Sequence, residues 1–173
     1  MAASLLALLL ALTAGSAQAQ SLEYPIKANY LVRFAAFVDW PNTAFTHASS
    51  PIVICVAGQD PFGASLDWAV AGQSARGRTI VARRLPPRTA VTGCHIVYVG
   101  RTTAAAGVGL STFGGPGVLT VTDEAVSPTR GAIHFVLSQS RVRFHVDQSA
   151  SARSGLTISS RLLNLALSVR GVR

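Results

Sequence analysis

Two histidines, two cysteines and a group of arginines are the residues whose type and spacing could do chemistry in this 173-residue chain. His134 and His145 flank a short segment centred on Gln139-Ser140. If that dipeptide is a two-residue turn, Ser138 faces Arg141, Val136 faces Arg143, and His134 faces His145. Cross-strand neighbours lie about 5 Å apart at Cβ, close enough for two imidazoles to share a metal, with Asp147 as a third ligand. Arg143 on the same face would repel a cation, so the expectation is no metal and no cofactor. His134, Arg143, His145 and Arg161 are instead read as candidate ligand contacts. A neutral imidazole near its switching pH would make such contacts pH-sensitive. Arg141, Arg143 and Arg161 could line a positive concavity for a small anion; solvated arginines on a polar strand face are the plainer alternative.

Cys55 and Cys94 are the only cysteines. An even count in an oxidising compartment favours a disulfide, with two buried free thiols as the alternative. Closing so long a loop would add roughly 3–4 kcal/mol in the chain-entropy description. The compartment follows from the first twenty residues, which carry no charged side chain and run through Ala and Leu from Ala2 to Leu12. Ala17-Gln18-Ala19 is a small-x-small cleavage site. Residues 1–19 therefore read as a signal peptide and residues 20–173 as one mature domain, although the n-region lacks Lys or Arg. A membrane anchor is the weaker reading, because the apolar run is shorter than the roughly 20 residues that a bilayer requires.

Motifs of familiar enzymes are missing from the sequence. Gly107-Val108-Gly109 and Gly115-Pro116-Gly117 lack the third glycine and the strand–helix setting of a dinucleotide fingerprint. Lys27 is the only lysine, which excludes a P-loop, and no Gly-x-Ser-x-Gly elbow occurs. Asp60 and Asp123 follow strand-like runs, where α/β proteins often hold ligands, but a helix cap and a turn are the favoured reading of them. The expectation is a protein that is not an enzyme. Charge adds one further bound: 15 basic residues stand against 7 acidic ones, for a net +8. Such a balance suits an anionic partner or an Arg-coated surface. Export argues against nucleic acid.

The elements that position these residues alternate. A helix is predicted from Tyr24 to Trp40, stopped by Pro41, with Tyr30, Phe34, Phe37 and Val38 on one stripe. With Arg33 and Trp40, these aromatics are either core or a partner or dimer face. Ile52–Ala57, Thr79–Leu85, His95–Val99 and Val118–Thr122 read as strands, the first and third of the doubly buried kind. A helix capped by Asp60-Pro61 follows the first of them, and Arg101 to Leu110 is Ala-rich and helix-like. Ala132–Ser138 and Arg141–Asp147 alternate as a hairpin, and Leu156 to Val169 reads as a closing amphipathic helix. The fold expected is a single three-layer α/β domain with a mostly parallel sheet, an added C-terminal antiparallel hairpin, and flanking N- and C-terminal helices.

In order and spacing these blocks resemble the YfiR-like periplasmic proteins over nearly the whole mature chain. The match runs from Lys27-Ala28, Leu31, Phe34, Phe37-Val38 and Trp40-Pro41, through Cys55-Val56-Ala57-Gly58 and Asp60-Pro61-Phe62-Gly63, to Cys94-His95-Ile96-Val97. It continues in Leu119-Thr120-Val121-Thr122-Asp123, Gly131-Ala132-Ile133-His134-Phe135, Arg141-Val142-Arg143-Phe144 and Gly155 to Leu163. The resemblance implies a periplasmic regulator that binds and represses the periplasmic part of an inner-membrane diguanylate cyclase, lowering cyclic-di-GMP and biofilm formation. It implies a homodimer, with no direct membrane insertion after signal cleavage. Cys55 and Cys94 match one disulfide of the family's studied member, whose activity follows redox state; its second pair has no counterpart here. A small-ligand binding protein and a structural envelope protein are the alternative functions.

Overall fold

A computed structural model describes residues 22–87, 89–101 and 110–171. The expected signal peptide, and almost all of the helix expected over Arg101 to Leu110, lie outside the described residues. Helix α1 spans residues 22–37. It buries Lys27, Leu31 and Phe34, with Ala28 and Ala35 beside them. This is the three- and four-residue spacing of a single helix face.

The helix stops three residues before its expected end. Val38–Asp39 form strand β1, which pairs antiparallel with β9 (Thr157–Ile158). The amide of Ser159 donates to the carbonyl of Phe37 at 2.9 Å, so a tertiary pairing ends the helix before Pro41 can.

Among the described residues the main sheet holds eight strands. These are β2 (Ile52–Ala57), β3 (Ser74–Ala75), β4 (Arg78–Leu85), β5 (Ile96–Val99), β6 (Leu119–Asp123), β7 (Ile133–Ser138), β8 (Arg141–Asp147) and β10 (Ser168–Arg170). Their spatial order is β10-β8-β7-β6-β5-β2-β4-β3. Every neighbouring pair is parallel except β7–β8 and β3–β4. Neighbouring β2 and β5 are the doubly buried runs legible in the sequence.

Strand alternation sorts the side chains onto two faces. Ile54, Ile96, Tyr98, Val121, Phe135 and Phe144 share the first face with Leu31 and Phe34 of α1 and Leu66 of α2 (Ala64–Val70). Burying such side chains contributes roughly 1.5–3 kcal/mol each relative to exposure. The second face carries a smaller cluster around Cys55, Val97, Val99, Phe113 and Val118.

The hairpin has the expected register: Ser138 opposite Arg141, Val136 opposite Arg143, and His134 opposite His145. Gln139 and Ser140 take φ of 51° and 58°, the left-handed pair that a type I′ turn requires. Neither is a residue that prefers that region, so the flanking strands impose it.

Two further expectations are corrected. Asp60 does not cap α2, which starts at Ala64 after Gly63. Its carboxylate instead accepts the amides of Phe62 at 2.7 Å and Gly63 at 3.3 Å, an Asx turn ahead of the helix.

The closing helix over Leu156 to Val169 is absent. Its place is taken by β9, a one-turn α4 (Ser160–Leu163) capped by Ser159, and strand β10. A short α3 (Gln148–Arg153), capped by Asp147, precedes them. The apolar spacing suited a helix, but the open edges of β1 and β8 offer backbone partners to this segment. Leu167 donates to the Phe144 carbonyl at 2.8 Å as β10 begins, and that pairing overrides local propensity.

Candidate functional site

In open α/β sheets, ligands favour the crevice where the strand order reverses. Here that point lies between β2 and β5, and it is closed by backbone. The amide of Gln59 donates to the carbonyl of Arg101 at 3.0 Å. A Cβ on Gly100 would stand 2.1 Å from the Gln59 carbonyl oxygen, and one on Gly58 would stand 2.8 Å from that of Arg101. Glycine at both positions lets the two loops meet.

Beside this closure lies a buried ionic cluster that the sequence reading missed. Lys27 of α1 is 0% exposed and pairs with both Glu23 and Asp123. Tyr98 donates its hydroxyl to Asp123 Oδ2 at 3.1 Å, and Asp123 Oδ1 accepts the amide of Ala125 at 3.0 Å. The Tyr24 ring sits 4.9 Å from Lys27 Nζ.

Burial, and then the Asp123 charge, push the Tyr98 phenol far above its ordinary range. The same two causes raise Tyr24. Every charged member has a partner, so the cluster acts as a latch between α1 and the carboxyl end of the sheet. The available signal was a lone lysine on an apolar helical stripe.

Cys55 and Cys94 form a disulfide, with 5.8 Å between their Cα atoms. Arg83 lies directly across from Cys55 on β4. Its Nη2 donates to Cys94 Sγ at 3.0 Å, to Cys55 Sγ at 3.5 Å and to the Thr92 carbonyl at 2.6 Å. The guanidinium therefore fixes the loop carrying Cys94.

Next to Cys94, His95 is buried between two backbone groups. Its Nδ1 faces the Val53 amide and its Nε2 faces the Ala44 carbonyl, each at 3.1 Å. That arrangement assigns the proton to Nε2, since Nδ1 must accept. Desolvation lowers the His95 pKa. Phe45 stacks on the ring at 4.5 Å, and Arg78 covers Phe45 at 3.7 Å.

The hairpin histidines differ in exposure. His134 is only 4% exposed and bonds Thr122 Oγ1 through Nδ1 at 2.8 Å; it is not a surface residue. His145 is half-buried and bonds Ser168 Oγ at 2.6 Å. Desolvation, followed by the Arg130 charge, lowers both pKa values.

Arg143 shares the His145 face, while Arg161 stands exposed on α4, a separate element. Among the described residues no group of three or more His, Cys, Asp or Glu side chains could hold a metal ion.

The aromatic stripe of α1 faces inward. Phe34 is fully buried, 5.3 Å from Phe144 and 5.8 Å from Phe135, so it offers a partner no surface. Tyr30 packs on Phe34, Phe135 and Phe144. Phe37 and Trp40 are half-buried, and Arg33 is exposed.

A closed switch-point crevice, a latched amino-terminal helix and a stapled sheet define an α/β domain without a ligand crevice at its switch point. The family model DUF4154, described as YfiR/HmsC-like, matches residues 24–167, and the chain belongs to that family. The family is regulatory rather than catalytic. Comparison with curated proteins finds no match. Among the described residues no helix is long and apolar enough to cross a membrane.

Proposed function

We propose that this protein is a periplasmic regulator that binds and represses the periplasmic part of an inner-membrane diguanylate cyclase, lowering cyclic-di-GMP and biofilm formation. The observation that carries this reading is the family match over residues 24–167. The backbone closure at the switch point supports a protein-binding role over the small-ligand alternative. Residues 1–19 act as a cleaved signal peptide, and residues 20–173 work in the periplasm as a homodimer. Arg33, Phe37 and Trp40 contribute to a dimer or partner face at the end of α1.

The Cys55–Cys94 bond would act as a staple that keeps β2 and the β5 approach in register. A signal that alters this domain shifts the bound population only through different affinity in its two states. A pull-down from solubilised inner membranes, with the processed protein oxidised and reduced, tests the reading. Mass spectrometry recovers a diguanylate cyclase if it holds. Recovery of no cyclase in either state contradicts it.

A further inference from the structure

Among the described residues the sheet ends on β10, and this edge carries two distinct chemistries. Asp147 donates its amide to the carbonyl of Ala132, the residue before β7, at 2.8 Å, so the odd-numbered backbone groups of β8 face β7 and the even-numbered ones face β10. With Ser168 in register with His145 and Arg170 with Asp147, Val169 is left with its own N–H and C=O pointing outward. All three β10 residues are exposed.

On one side of this edge lie Leu167 and Val169, 42% and 43% exposed, with Leu165 at 55% just before them. Three of the eight exposed large apolar side chains among the described residues thus fall within five positions. On the other side lie Arg170 and, one strand in, Arg141 and Arg143. Arg130 stands close enough to act on both hairpin histidines.

The acidic groups on that side are already engaged. Asp147 accepts the Ala150 amide at 2.9 Å, and Glu124 accepts the Leu137 amide. Both carboxylates keep their charge, but two of them against Arg130, Arg141, Arg143 and Arg170 leave this face net positive, next to an outward backbone donor and acceptor.

We propose that β10 docks an extended segment of a partner protein in which acidic and apolar residues alternate. The segment adds a strand at Val169, turning its acidic side toward Arg170 and Arg143 and its apolar side toward Leu167 and Val169. Alternation of the partner follows from the period of two in any strand. A second copy fits less well, because it would lay a net +8 chain with its own arginines against the same face. The proposal rests on the repressor reading, since it names the kind of segment through which a membrane partner is held.

The test uses the processed protein and a fluorescein-labelled peptide of four Glu-Val repeats, with a Lys-Val peptide of equal length as control. Fluorescence anisotropy should show the acidic peptide binding at least tenfold more tightly. Val169→Pro, which removes the outward amide and shortens the apolar side chain without taking a hydrogen bond from β8, should weaken binding at least fivefold, as should the double variant R143E/R170E. Thermal melts confirm that both variants fold.

Equal binding of the two peptides, or binding unaltered in both variants, overturns the proposal. So does a wild-type dimer that Val169→Pro disperses, because a second copy then owns the edge. Capture of a cyclase by wild type and equally by both variants refutes this surface and leaves the repressor reading standing. Selective peptide binding without cyclase capture does the reverse.

Discussion

Lys27 and Asp123 are 96 positions apart in sequence, yet they meet as a buried ion pair at the carboxyl end of the sheet. Neither side chain has more than 1% exposure. Glu23 completes the cluster from one turn earlier in α1. The first helix is therefore held by charge as well as by Leu31 and Phe34. Removing a single partner from such a cluster strands uncompensated charge, which typically costs about 3–5 kcal/mol.

Lys27→Met should lower unfolding stability by about that amount, because Glu23 and Asp123 remain buried without their cation. Adding Asp123→Asn should recover part of the loss. Urea denaturation of the two variants, compared at equal slope, measures both effects.

The disulfide closes a separation of 39 residues, for which chain entropy predicts about 4 kcal/mol. Cys55→Ala with Cys94→Ala should shift the denaturation midpoint accordingly. Far-UV circular dichroism should stay close to that of wild type, since the strands on both sides are paired independently. Arg83→Gln should cost much less, because Arg83 itself is exposed and the disulfide remains closed without it.

His95, His134 and His145 all have pKa values lowered from 6.5 by desolvation. The unfolded chain then binds more protons than the folded one below that value. Stability is complete above about 6.5 and falls as pH drops toward the folded pKa values. Protonating His95 also removes the acceptor for the Val53 amide. His95→Gln, which keeps a side-chain acceptor, should flatten the melting-temperature profile between neutral and mildly acidic pH.

Left-handed backbone costs a non-glycine residue roughly 1–2 kcal/mol. Gln139 and Ser140 both bear it at the hairpin tip. Ser140→Gly should therefore stabilise the domain by about 1 kcal/mol and leave the register of His134 and His145 unchanged. A melting-temperature rise with unaltered cross-strand contacts in nuclear magnetic resonance checks this.

The core strands were legible because parallel strands buried on both faces read as continuous β-branched runs, as in Ile52–Ala57 and Ile96–Val99. The hairpin was legible from strict alternation. The carboxyl-terminal segment was not, because Leu162, Leu165 and Val169 carry a helical spacing that only long-range pairing with β8 overrides. The ionic cluster was hidden for a related reason. Lys27 and Asp123 each look ordinary locally, one in a helix and one in a turn, and only the packing of α1 on the sheet joins them. The disulfide followed from cysteine count and compartment alone.

Cellular cyclic-di-GMP is the measurement that bears most directly on the repressor reading. Deleting the gene in its own host should raise the nucleotide several-fold, and re-expression of the full-length chain should restore the original level. An unchanged cyclic-di-GMP level in the deletion strain would contradict the account.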